Sequence, residues 1–99
     1  MKAINPLTGD LIKEYQTHSA SEVSSKLEGA EKTFLSWKTL SYTERGAYLL
    51  SVSEVLELRK RQLAELMAEE MGKPVKAGMA EISKCALVCR YYAEHAGEF

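Results

Sequence analysis

Apolar residues recur along most of this chain at alternating spacings of three and four, the period of an amphipathic helix. The first stripe is Val23, Leu27, Ala30, Phe34 and Trp37, with Glu22, Lys26 and Glu31 on other faces. Its start is marked by Ser19-Ala20-Ser21-Glu22, where a hydroxyl three residues before a glutamate lets each side chain satisfy an unpaired amide of the other. Gly29 inside the stripe costs about 1 kcal/mol against alanine. Ser41-Tyr42-Thr43-Glu44 repeats the capping arrangement and opens a second run through Leu49, Leu50, Val52, Leu56, Leu63, Leu66 and Met67. The basic cluster Arg59-Lys60-Arg61 interrupts that run, so the pattern accommodates equally one helix of about 40 Å or two helices broken there. After Gly72 and Pro74 comes a third run, Met79, Ile82, Ala86, Cys89, Ala93 and Ala96, widened by Cys85 and Tyr92.

The first 17 residues have a different pattern. Ala3-Ile4-Asn5-Pro6 and Leu11-Ile12-Lys13-Glu14-Tyr15 flank Leu7-Thr8-Gly9-Asp10, whose glycine and polar residues suit a hairpin connection. Two strands alone are marginal in water, so this hairpin must lean on the helices or join a larger sheet. The expected fold is mainly α: a single segment, 1–99, with a β-hairpin at 1–17 and three or four helices at 19–97.

Composition narrows the function classes. The chain has 99 residues, 45% of them apolar, enough for one small domain that would bury roughly 65% of its unfolded surface. Thirteen lysines and arginines against 14 acidic residues leave a formal charge of -1, so no global field favours nucleic acid or an anionic membrane. No apolar run approaches the roughly 20 residues that span a bilayer, and the reading is a soluble, cytoplasmic protein.

The stretch Glu69-Glu70-Met71-Gly72-Lys73-Pro74 contains a Gly-Lys pair. A phosphate loop needs glycine four residues before that pair and a hydroxyl after it, and Met67 and Pro74 occupy those positions. The stretch is therefore a helix stop, with Gly72 left-handed past the last turn. No G-x-G-x-x-G occurs among the six glycines. Cys85, Cys89 and His95 supply three potential ligands where structural zinc wants four, so both thiols are expected as small core residues. Trp37, Phe34, Tyr91 and Tyr92 read as core or interface packing. Arg59 to Arg61, flanked by Glu54, Glu57 and Glu65, reads as a solvated face.

The motifs in order carry a resemblance. Ile4-Asn5-Pro6-x-Thr8-Gly9-Asp10, Phe34-x-x-Trp37, Glu44-Arg45, Glu70-Met71-Gly72-Lys73-Pro74, Glu81-Ile82 and Arg90-Tyr91-Tyr92-Ala93 together resemble the N-terminal region of the NAD(P)-dependent aldehyde dehydrogenases. Tyr91-Tyr92-Ala93-Glu94-His95 is most similar to the succinate-semialdehyde dehydrogenase branch. The resemblance implies the start of an α/β fold and an enzyme that oxidises an aldehyde to the acid with NAD or NADP. That chemistry is thiolate attack, hydride transfer from the thiohemiacetal and hydrolysis of the thioester.

The family's nucleophile, general base and cofactor segment map to no residue here, so the 99 residues alone are expected to be inactive scaffold and to bind no NAD or NADP. The resemblance implies a monovalent cation held by backbone carbonyls of Ala3 and Ile4 with Glu70. It also places Ala80 and Lys84 at the substrate entrance, where the ammonium would attract a carboxylate-bearing aldehyde. The expected partner is the remainder of an aldehyde dehydrogenase chain, or a second copy meeting the exposed apolar stripes. Two rivals are an independent helical interaction module without enzyme activity and a thiol-based metal or redox protein using Cys85 and Cys89.

Overall fold

The computed structural model describes residues 1–99. Strands β1 (Lys2–Ile4) and β2 (Leu11–Glu14) precede four helices, α1 (Ala20–Trp37), α2 (Tyr42–Leu58), α3 (Lys60–Met71) and α4 (Val75–His95), and a 3-10 turn at Ala96–Glu98. The strands are antiparallel, with Lys2 opposite Glu14, Ala3 opposite Lys13, and a bulge before the Ile4–Leu11 pair. Asn5 organises their connection: its Oδ1 accepts from the amides of Leu7 and Thr8 at 2.9 and 3.3 Å. Gly9 completes the turn at a φ of 77°, a left-handed conformation that glycine adopts without a side-chain clash.

Both capping boxes form as the spacing predicts. The Ser19 and Ser41 hydroxyls accept from the amides of Glu22 and Glu44, and the serine amides donate back to the glutamates at 2.7 and 2.8 Å. These bonds, the backbone ones first, lower the pKa of both glutamates because the carboxylate is the better acceptor. The second apolar run is two helices, broken at Arg59 with φ -97° and ψ 10°. The break lets α2 and α3 pack against one common partner, α4.

α4 is the centre of the bundle. Ile82 and Ala86 are buried on it with Gly78, facing Ala64 of α3 and Gly46 and Ser53 of α2. The crossings are close. A Cβ at Gly46 would lie 2.7 Å from the Ala93 carbonyl oxygen, and one at Gly78 would lie 3.0 Å from the Ala64 Cβ. Interaxial approach of this kind requires a residue without a side chain at the contact.

The α1 stripe meets no such partner. Every residue of α1 is exposed, Leu27 and Phe34 by 67% and 56%, and its aromatic end is held by Trp37 against Tyr48, ring centroids 5.0 Å apart. Only six of 99 residues are buried, and the radius of gyration is 17.6 Å. A compact chain of this length would have about 13 Å. The accessible surface is 7884 Å², against about 5,700 Å² for a folded monomer of this mass. The excess, about 2,200 Å², lies in the range of a permanent interface.

Candidate functional site

Two concavities border these helices, one at the α3–α4 connection and one along α4. The first, about 480 Å³, lies between the hairpin turn and the end of α3, and is lined by residues that include Asn5, Pro6, Leu7, Glu69, Met71 and Lys73. Gly72 shapes it: its φ of 71° ends α3 in the left-handed conformation, and a Cβ there would touch Pro6 Cγ at 3.4 Å. Lys73 is not a phosphate ligand but a tie between segments, its ammonium donating to the Glu81 carboxylate on α4. Pro74 stands at the N-cap of α4, so one glycine and one proline end one helix and start the next.

The hairpin turn and the end of α3 border one concavity, whose lining includes none of Ala3, Ile4 and Glu70. Ala3 is half-buried in β1, Ile4 is 52% exposed and Glu70 is exposed. Glu69, rather than Glu70, lines the concavity between the two segments. No cluster of three acidic, histidine or cysteine side chains has the arrangement of a metal centre.

The second concavity, about 710 Å³, is an open groove along α4 lined by Ala80, Glu81, Lys84, Cys85, Val88 and Cys89. Ala80 and Lys84, placed at the substrate entrance by resemblance, thus share one groove. The expectation of core thiols is corrected: Cys85 is exposed and Cys89 half-buried, both unpaired. The reason is rotational, since Cys85 lies about 60° round the helix from Ile82, on the side that neither α2 nor α3 covers.

A polar seam joins the three packed helices, and single-residue patterns did not show it. Lys60 Nζ donates to Glu57 Oε2 at 2.7 Å and to Ser83 Oγ on α4 at 2.9 Å. The bond from Lys60 is the first cause lowering the Glu57 pKa. Arg90 Nη1 donates to the buried Ser53 Oγ at 2.6 Å. The solvated-face reading of the basic cluster therefore holds for Arg59 and Arg61 and fails for Lys60, which turns inward because Ser83 offers it an acceptor. A serine one helix away is the only signal for this pairing, and sequence order does not reveal it.

Comparison with known proteins covers the same residues. The family model described as the aldehyde dehydrogenase family matches residues 1–99. The chain is 44% identical over 96 residues to a probable NADP-dependent succinate-semialdehyde dehydrogenase of Synechocystis, covering 97% of this chain and 21% of that protein. It is 31% identical over 93 residues to an Escherichia coli succinate semialdehyde dehydrogenase that uses NAD or NADP, covering 94% of this chain and 20% of the relative. The fold superposes on the NADP-bound succinic semialdehyde dehydrogenase of Streptococcus pyogenes with a TM-score of 0.91 at 28% identity, covering 98% of this chain and 22% of that one. An NADP complex of a glyceraldehyde-3-phosphate dehydrogenase from Methanocaldococcus jannaschii gives 0.89 at 27% identity, over 96% and 21% of the two chains. The chain spans about a fifth of the length of these relatives.

Proposed function

The chain belongs to the aldehyde dehydrogenase family, and we propose that it is the N-terminal scaffold of an enzyme oxidising succinate semialdehyde to the acid with NADP, in the cytoplasm. The observation that carries this reading is the uncovered surface of about 2,200 Å² beyond that of a compact monomer, together with alignment to one fifth of each relative. We assign the cover of that surface to the remainder of an aldehyde dehydrogenase chain, against which α1 lays Val23, Leu27 and Phe34. These 99 residues contain no glycine-rich phosphate cradle and no step of the chemistry is assigned to them. Their part is to hold α4 and its groove in place.

A chimera tests the reading. This chain replaces the matching fifth of the Synechocystis relative, and NADPH formation from succinate semialdehyde is followed. Activity in the chimera and none in the 99 residues alone is the expected outcome. A chimera that melts cooperatively yet turns over no aldehyde would sink the proposal.

Two sites belong to the same reading. Lys84, on the rim of the α4 groove and free of any ion pair, is assigned to attract the substrate carboxylate. Lys84→Ala in the active chimera should raise KM for succinate semialdehyde and leave KM for butanal unchanged, and equal effects on both would remove the role. The carbonyls of Ala3 and Ile4 with Glu70 are assigned to a potassium or sodium ion, hard oxygen donors suiting a hard cation. A melting temperature identical in potassium chloride and tetramethylammonium chloride would remove that site.

A further inference from the structure

We propose that Cys85 and Cys89 form a two-thiolate site for a soft monovalent metal ion, copper(I), in the groove along α4. The two residues are one helical turn apart on one continuous helix, so their Cβ atoms stand about 5–6 Å from each other. Both are unpaired, and both line the same open groove, Cys85 exposed and Cys89 half-buried. At this spacing rotation of the two side chains is enough to bring both sulfurs to a single ion, with no change in the helix backbone.

The donor set selects the metal. Zinc requires about four ligands, and no third histidine, cysteine or carboxylate joins the pair. Copper(I) is soft, favours thiolate and is content with two ligands. Binding converts two thiols and one cation into a bis-thiolate unit of net charge -1 and releases two protons, with no change of oxidation state. The groove carries the compensating charge. Its carboxylate, Glu81, is taken by Lys73, whereas Lys84 lines the same groove without an ion pair or hydrogen bond.

The test is an anaerobic titration of the reduced full chain with copper(I) against the indicator bicinchoninate, with free thiols counted in parallel. One ion per chain, with both thiols protected from a thiol reagent together, is the expected result. Cys85→Ser and Cys89→Ser should each weaken binding by more than the roughly 100-fold that loss of an outer partner costs, and Lys84→Ala by about tenfold. Circular dichroism checks that each variant keeps its helices, which is expected because Cys85 is exposed and serine is close in size. Failure to draw copper(I) from the indicator, retained affinity in either serine variant, or one ion shared by two chains would each overturn the proposal.

Discussion

Gly46→Ala should destabilise this bundle, although alanine is the better helix former. The added Cβ would stand 2.7 Å from the Ala93 carbonyl oxygen and 3.4 Å from its carbonyl carbon and Cα. That oxygen is backbone of α4, so no rotamer change can move it aside, and α2 and α4 must separate by several tenths of an ångström. Overpacking of this kind costs about 1–3 kcal/mol, against a propensity gain of about 1 kcal/mol. The net loss, up to about 2 kcal/mol, is a factor of up to roughly 30 in the folded-to-unfolded ratio. Gly29→Ala is the control, since nothing lies within 4 Å of a Cβ there. It keeps the propensity gain alone and should raise the helicity of α1. Urea titrations followed by circular dichroism on both variants read the two signs. A Gly46→Ala protein stabilised over the parent as much as Gly29→Ala would refute the close crossing of α2 and α4.

Ile82→Ala, at the middle of the α4 contact and 5% exposed, should lower stability by about 2–5 kcal/mol in the same titration; an effect within error would mean that α4 is not the central helix. Ser53→Ala leaves Arg90 Nη1 without its acceptor and should cost about 1–3 kcal/mol, most of which disappears in an Arg90→Met background if the two act as a pair. The lowered pKa values of Glu22, Glu44 and Glu57 arise from bonds made in the folded state. Their contribution is therefore complete above the ordinary glutamate pKa of about 4.3 and is lost as pH falls through the lower folded-state values. Acid titration should show helicity falling in that window, and a Glu22→Gln, Glu44→Gln variant with an unchanged acid profile would contradict the assignment of Glu22 and Glu44.

The starts of α1 and α2 and the stop of α3 were determined by the sequence itself, because they are decided within four residues, whereas the break at Arg59 was left open by it. Ser19 with Glu22, Ser41 with Glu44, and Gly72 before Pro74 each complete their hydrogen bonds or backbone turn locally, and the structure has them where the spacing puts them. The order of the motifs from Asn5-Pro6 to Tyr91-Tyr92 was likewise enough to place the chain in its family.

Burial was not decided by the sequence alone. The stripe of α1 and the stripe of α4 share the same period, yet one is wholly exposed and the other holds Ile82 and Ala86. Cys85 was expected inside and lies outside, and Lys60 was expected in solvent and turns toward Ser83. Gly46 and Gly78, which no apolar stripe singles out, are the places where helices touch. An apolar stripe records only that a face is suited to burial. Whether it is buried depends on a second surface that arrives from elsewhere in the chain, and only the tertiary arrangement supplies it.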